Sequence, residues 1–270
     1  EEERFTRHKH SPAEPPLNAL KQAFRFLKKR GIRPKDVDAY AINWDPSLFH
    51  DRKFKYLDYV HLLSLSMDNG IIGYDGFSSL FKNLIQTNYI ELAKKLVRKA
   101  ISDLGEEVPS EIKIYPVRHH LAHAASAYYL SGYNSSTILT LDGSGEYEAS
   151  VIWKAKDGEF ELILSMYTSY GSLGFLYEYT MNEISLGKLE GPGKGMGLAP
   201  YGKMSKYYDR LKEFVKINSE GDIPFYIADG KIVKIKNIFM LNLIYNKIAD
   251  KVVGGRIKWD PHGEMNQDAA

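Results

Sequence analysis

The spacing of apolar and polar residues predicts alternating helices and strands along most of the chain. In residues 16 to 31, apolar side chains recur on one helical face and lysines and arginines occupy the other, with Gly31 as the stop. The predicted helices are residues 16 to 31, 80 to 104, 118 to 131, 172 to 186, 207 to 215 and 238 to 252. The predicted strands are residues 38 to 44, 112 to 117, 137 to 141, 148 to 154, 159 to 168, 223 to 228 and 231 to 235. This alternation indicates an α/β fold.

In two segments the apolar residues follow neither the helical nor the strand period. Residues 45 to 77 are rich in Tyr, His and Asp, and we expect an irregular insertion near the entrance of a binding site. Residues 189 to 203, LEGPGKGMGLAPYGK, are predicted to form a loop because glycine recurs through them. Such a loop lets backbone approach a ligand, and Lys194 inside it suits a phosphate oxygen. A flexible surface loop explains the same pattern. It is not a P-loop, because Gly195 follows Lys194 where Ser or Thr is required.

Candidate chemistry is concentrated in RHHLAHAASAYYLSGYNSSTILTLDGSGE, residues 118 to 146. Alanines favour a helix there, and at i, i+4 spacing His119 and His123 project from the same face, close enough to share a cation. His120 points about 100° further round the helix, which predicts a packing or supporting role.

The strand at residues 137 to 141 is followed by an acidic, glycine-rich turn. Asp142 at its end supplies a hard oxygen ligand, and Gly143 and Gly145 bracket Ser144 in a turn that can aim backbone N–H groups at an anion. Histidines at this spacing are common on surfaces, and Asp-Gly is a frequent hairpin turn. Their combination in one stretch predicts a metal site beside a phosphate site.

Composition narrows the function classes. The 270 residues, 44% hydrophobic, suffice for one sizeable core or two lobes. The net charge of +2 is too small to indicate the strongly basic surface of a nucleic-acid-binding protein. Because the chain has no cysteine, disulfides, thiolate metal ligands and a cysteine nucleophile are excluded. Neither a signal peptide nor a long apolar run is present, so a cytoplasmic protein without a membrane partner is expected.

Several motifs in order carry a family resemblance. RHHLAHAASAYYLSG, LTLDGSGE, SLGFLYEYT and EGPGKGMGLAPYG resemble the O-carbamoyltransferases of the NodU and CmcH type. The opening EEERFTRHKH and the closing HGEMNQDAA fit the same pattern, so the resemblance covers nearly the whole chain.

The resemblance implies an actin-like ATPase fold (the ASKHA, ribonuclease H-like class), shared with sugar kinases and tRNA threonylcarbamoyl transferases. On this basis residues 1 to 270 form part of the family's amino-terminal domain, with most of the first lobe, and residues 262 to 270 begin the second lobe. The initial β-hairpin, the rest of the second lobe and the carboxy-terminal YrdC-type domain are expected to be missing. We therefore expect the 270 residues alone to have little transferase activity.

The resemblance also implies a reaction and its site. Carbamoyl phosphate and ATP give carbamoyl-adenylate, and the carbamoyl group passes to a hydroxyl of a small-molecule acceptor. The metal, iron or alternatively zinc, is bound by His119, His123, Asp142 and a later aspartate beyond Ala270. The implied nucleotide-binding residues are Gly143, Ser144, Gly145, Lys194, Gly195 and Gly197. The implied catalytic residues are Glu146, as a general base or as an orienting group for the acceptor hydroxyl, and His120 in support. A purely structural role for Glu146 in the hairpin remains open.

Other functions stay open at this point. A sugar-kinase-like ATP-binding protein would not need the histidine pair, whereas a tRNA threonylcarbamoyl transferase-like enzyme would share it. The near-neutral charge makes nucleic acid the less favoured partner. A non-catalytic binding protein also fits, but a metalloprotease does not, because the H-E-x-x-H glutamate is absent. The acceptor, native metal and oligomeric state are not encoded in any motif.

Overall fold

The computed structural model describes residues 1–8, 14–45, 47–48, 89–167, 172–187, 190–202, 206–214, 226–227, 231–232 and 238–255. The chain divides into two compact units. Unit 1 contains the described residues up to Arg118, and unit 2 contains those from His119 onwards. Each combines helices with a small sheet, which confirms the mixed α/β class. The assignment to an actin-like lobe stays a prediction.

Unit 1 is built on two packed helices and a parallel strand pair. Its elements are α1 (Glu3–Thr6), α2 (Leu17–Lys28), a 3₁₀ turn (Pro34–Asp36), β1 (Tyr40–Ile42), α3 (Tyr89–Asp103) and β2 (Ile114–Pro116). Phe24 of α2 is buried against Val97, Ala100 and Ile101 of α3, as the predicted apolar stripe requires. After α2, Gly31 adopts φ +77°, and the Ile32 N–H donates to the Leu27 carbonyl, so the predicted stop is confirmed.

The start of α2 depends on the carboxylate of Glu2, the residue just before α1. Pro16 provides no side-chain cap, whereas the buried Glu2 accepts from the N–H groups of Asn18 and Ala19 at 3.2 and 2.9 Å. Burial acts to raise the pKa of Glu2, but these hydrogen bonds outweigh it and hold the pKa below its ordinary value. Glu2 therefore caps α2 in its ionised form.

Replacing Glu2 with glutamine is expected to lower the free energy of unfolding by about 1 kcal/mol at pH 7. Because the folded pKa is depressed, the carboxylate's contribution is present above the unfolded pKa of about 4.3 and is lost as pH falls through the folded pKa. Urea unfolding should therefore show a difference between Glu2→Gln and wild type that shrinks in acid. Glu1→Gln, at an exposed ion pair, is the control and should change little. A pH-independent difference would contradict the ionised cap.

Unit 2 contains a three-stranded antiparallel sheet and several helices. Its elements are α4 (His119–Ser131), β3 (Ser135–Leu141), β4 (Glu148–Lys156), β5 (Glu159–Tyr167), α5 (Leu173–Glu183), α6 (Gly191–Leu198), a 3₁₀ turn (Ala199–Tyr201), α7 (Lys206–Phe214), β6 (Tyr226–Ile227), β7 (Lys231–Ile232) and α8 (Ile238–Val253). The strand order is β3-β4-β5, and β6 pairs with β7. Asp157 and Gly158 between β4 and β5 have φ of 51° and 86°, as a tight hairpin turn requires.

One face of α4 packs on the sheet. His120, Ala124 and Tyr128 recur every four residues and are buried, and Ala124 contributes to a core with sheet residues such as Val151 and Trp153. The small alanine lets the helix lie close to the strands, as expected from the sequence. His119 and His123 lie on the neighbouring face of the same turn. A second core joins α5, α7 and α8.

The glycine-rich segment is not the predicted loop, because Gly191–Leu198 forms helix α6. Its glycines at 191 and 195 are buried against α5. A Cβ at Gly191 would lie 2.7 Å from Met181 Cβ, and one at Gly195 would lie 2.3 Å from Met181 Sδ. Glycine has a low helix propensity, so a helix with several glycines is unfavourable by that measure. Where α5 and α6 meet, however, there is room only for the hydrogen side chain of glycine. Close helix packing therefore accounts for these glycines.

Two glycines of α6 provide a matched pair of substitutions. A Cβ at Gly193 would meet nothing within 4 Å, so Gly193→Ala should stabilise the protein by about 0.5 to 1 kcal/mol. Gly191→Ala should destabilise it by about 1 to 3 kcal/mol through overpacking against Met181. Urea unfolding of both variants measures the difference, and equal effects would contradict the packing explanation.

Several sequence predictions fall outside the described residues. These are most of the insertion predicted at residues 45 to 77, the first part of the helix predicted at residues 80 to 104, parts of the strands predicted at 223 to 228 and 231 to 235, and the segment at 262 to 270. Among the helices that the structure describes, none combines the length and apolar character needed to cross a bilayer.

Candidate metal site

The structure brings together the side chains of His119, His123 and Asp142. His119 Nε2 lies 2.7 Å from Asp142 Oδ2 and 3.0 Å from His123 Nε2, and His123 Nε2 lies 3.2 Å from the same carboxylate oxygen. Within the described part of the chain, this is the group of His and acidic residues whose ligand atoms lie close enough to hold a metal ion, all within 4.8 Å of one another. The predicted convergence is present, whereas metal binding stays a prediction.

The donor set fits a divalent transition metal. Bonds of about 2.1 Å to one ion place neighbouring ligand atoms roughly 3 to 3.4 Å apart. The distances among the three atoms are close to this range, so small side-chain adjustments would admit an ion. Two imidazoles and one carboxylate suit iron or zinc and leave coordination positions for a substrate. The His123 side chain is 52% exposed, so the group is open to solvent on that side.

Asp142 is held in its ionised form. Burial acts to raise the pKa of its carboxyl group, but hydrogen bonds from His119 and from the Gly143 N–H, together with the charges of both histidines, hold the pKa below its ordinary value. The Gly143 N–H donates to Oδ1 at 2.6 Å, which leaves Oδ2 directed at the histidines. An ionised carboxylate is the form that a cation requires.

The backbone of Asp142 is clamped by the start of α5. The Ser172 hydroxyl donates to the Asp142 carbonyl at 2.9 Å and accepts from the Phe175 N–H at 3.1 Å, so one side chain caps α5 and holds the aspartate's peptide. A Cβ at Gly174 would lie 2.4 Å from the Gly143 nitrogen. Ser172 itself is fixed by the buried Tyr245, whose hydroxyl accepts from the Ser172 N–H at 2.7 Å.

Ser172 and Gly174 were not predicted as site residues from the sequence. A serine directly before a helix is a recognisable N-cap signal. Its second bond, to a residue thirty positions earlier, is decided by how α5 packs against the turn. No local pattern indicates that bond.

The turn between β3 and β4 uses its own backbone donors. The Gly143 N–H is bonded to Asp142, and the Gly145 N–H donates to the Glu148 carbonyl at 2.6 Å. These two groups are therefore not the free anion donors that the sequence suggested. Gly145 instead permits close approach of α4, because a Cβ there would lie 2.9 Å from His120 Cδ2. Phosphate binding by Gly143, Ser144 and Gly145 stays a prediction.

Glu146 is completely buried rather than facing an acceptor. Its two carboxylate oxygens accept from the His119 backbone N–H at 2.9 and 3.1 Å. A general base must reach the hydroxyl that it deprotonates. The geometry of Glu146 therefore favours the structural alternative over the catalytic one.

His120 is also completely buried, and both ring nitrogens are bonded within the core. The Glu148 carbonyl can only accept, so Nε2 at 2.9 Å carries a proton, and Nδ1 lies 2.8 Å from the Thr140 hydroxyl oxygen. Burial lowers the pKa of His120 because it disfavours the charged ring. His120 thus connects α4 to β3 and β4. Its supporting role in catalysis stays a prediction.

The predicted nucleotide residues of α6 lie in different surroundings. The Lys194 ammonium forms an ion pair with Glu190 at 2.7 Å. Gly195 is buried under Met181 and Tyr177, whereas Gly197 is exposed and a Cβ added there would meet nothing within 4 Å. Their contact with a nucleotide stays a prediction.

Fold and site together define a mixed α/β protein with a histidine and aspartate group suited to a divalent metal. The chain belongs to the family described as "Carbamoyltransferase N-terminus", whose sequence profile matches residues 1–253. This confirms the resemblance found in the motifs.

Individual relatives are more distant and much longer. The chain is 28% identical over 230 residues to nodulation protein NolNO of Sinorhizobium fredii, covering 84% of this chain and 29% of that protein. It is 30% identical over 122 residues to nodulation protein NolO of Bradyrhizobium diazoefficiens, covering 45% and 22%. An uncharacterised Synechocystis protein is 28% identical over 235 residues, covering 84% and 35%. The chain thus spans about a third or less of the length of these relatives.

Proposed function

We propose that this chain is part of an O-carbamoyltransferase that transfers a carbamoyl group to a hydroxyl of a small-molecule acceptor. The observation that carries the proposal is the convergence of His119, His123 and Asp142 in a chain that belongs to the carbamoyltransferase N-terminus family. Carbamoyl phosphate and ATP are the proposed source of the group, through carbamoyl-adenylate. Iron is the proposed metal, with zinc as the alternative.

The proposed transfer forms one bond and breaks one. The acceptor oxygen bonds to the carbamoyl carbon, the bond from that carbon to the adenylate oxygen breaks, AMP leaves, and the hydroxyl proton passes to water. A divalent cation bound by the three residues would supply Lewis-acid polarisation of the carbamoyl carbonyl.

The chain's own residues hold the reacting groups. His119 and Asp142 are partly buried and fixed, whereas His123 lies on the exposed side where substrate would enter. Lys194 forms an ion pair with Glu190 in the structure. Lys194 is proposed to release Glu190 and to bind the phosphate of the departing AMP instead.

The test uses the full-length protein with ATP, carbamoyl phosphate and a panel of hydroxyl acceptors. The expected result is an acceptor heavier by one carbamoyl group and an equivalent amount of AMP, with both products lost in His119→Ala. Elemental analysis of the purified protein distinguishes iron from zinc. ATP turnover that survives His119→Ala would favour a kinase-like function, and modification of tRNA alone would favour the tRNA-modifying alternative.

A further inference from the structure

We infer that Glu146 is the positioning residue of the metal site: its buried carboxylate anchors the first residue of α4, so that His119 faces Asp142. This inference rests on the proposed metal site and adds to it a residue that contacts neither metal nor substrate. It also assigns a role to a buried charge that the proposed transfer does not use.

Glu146 contacts α4 at the amino-terminal end of the helix. His119 is the first residue of α4, and its N–H is among those that no residue within the helix can pair. Glu146 satisfies it with both oxygens, at 2.9 and 3.1 Å, and is 0% exposed. A carboxylate at a helix N-terminus is also favoured by the positive end of the helix dipole. The bond therefore fixes where the helix begins.

Asp142 and Glu146 lie at the two ends of one short turn. Gly145 lies between them and packs closely against His119, because a Cβ added at Gly145 would be 3.2 Å from His119 Cβ. The Gly145 N–H is bonded to the Glu148 carbonyl, which closes the turn. One turn thus supplies a metal ligand from its start and the anchor of a second ligand from its end. A change at Glu146 would alter the distance between Asp142 in the turn and His119 at the start of α4.

The test compares Glu146→Ala and Glu146→Gln with a matched control, Glu148→Gln, in the full-length protein. Glu148 is on the same side of the turn and equally buried, but its carboxylate accepts a hydrogen bond from the Ser165 hydroxyl of β5. Co²⁺ is titrated by its visible absorption, which reports coordination, and hydrogen exchange of the peptide covering residues 118 to 131 reports the anchoring without metal. Circular dichroism checks the fold.

Glu146→Ala is expected to weaken Co²⁺ binding by about 10- to 100-fold, as loss of groups that orient metal ligands does, and to speed exchange at the start of α4. Glu146→Gln, which keeps one accepting oxygen, should lose less, and Glu148→Gln should match wild type.

Wild-type Co²⁺ affinity and exchange in a folded Glu146→Ala protein would overturn the inference, as would an equal loss in Glu148→Gln. If the alanine variant does not fold, the glutamine variant decides by the same criteria. Failure of the wild-type protein to bind Co²⁺ would instead overturn the proposed metal site, and exchange would still test the anchoring.

Discussion

Replacing His123 with alanine is expected to weaken Co²⁺ binding by at least about 100-fold. Loss of a group that only orients a metal ligand already lowers metal affinity by about 10- to 100-fold, and loss of a ligand should lower it further. His123 supplies one of the three converging ligand atoms. Its side chain is 52% exposed, so its loss should leave the metal-free protein folded. Titration of Co²⁺ by visible absorption measures the affinity, and thermal unfolding without metal measures the stability.

Asp142→Asn extends the test to the carboxylate. Asparagine keeps the side-chain size and can still accept from the Gly143 N–H, but it removes the negative charge that a cation requires. A similar loss of affinity is expected. The control is His8→Ala, at an exposed histidine of unit 1 outside the group, which should bind Co²⁺ as wild type does. Unchanged affinity in both site variants would remove the metal site and with it the proposed mechanism.

Replacing Gly174 with alanine is expected to destabilise unit 2 by about 1 to 3 kcal/mol or more, although alanine favours a helix. The added Cβ would lie 2.4 Å from the Gly143 nitrogen and 2.5 Å from the Asp142 carbonyl carbon. Both are backbone atoms, which cannot turn aside as the end of a side chain can. The turn or the helix must therefore move.

The same substitution should displace a metal ligand, because the clash falls on the peptide of Asp142. We expect weaker Co²⁺ binding in whatever fraction of Gly174→Ala remains folded. Gly193→Ala, also a helical glycine but with nothing near its Cβ, is the matched control and should keep wild-type affinity. Wild-type stability and affinity in Gly174→Ala would contradict the close contact between α5 and the turn.

The secondary structure around the site could be predicted because its signals are local. Alanine content and i, i+4 spacing predicted α4 and its histidine face, and a β-branched run ending in Asp142 predicted β3. The glycine-rich segment was predicted wrongly as a loop, since propensity carries no information about a neighbour. Met181 occupies the space that side chains at Gly191 and Gly195 would need.

The sequence by itself determined the types of the elements that carry the three candidate ligands, the chemical nature of those ligands and the family. The tertiary structure alone decided that Glu146 faces the start of α4 rather than a substrate, that His120 is bonded within the core, and that Ser172 holds Asp142. Helical spacing and strand propensity act between near neighbours along the chain. These three bonds join residues 20 to 30 positions apart, and packing alone determines which of them meet.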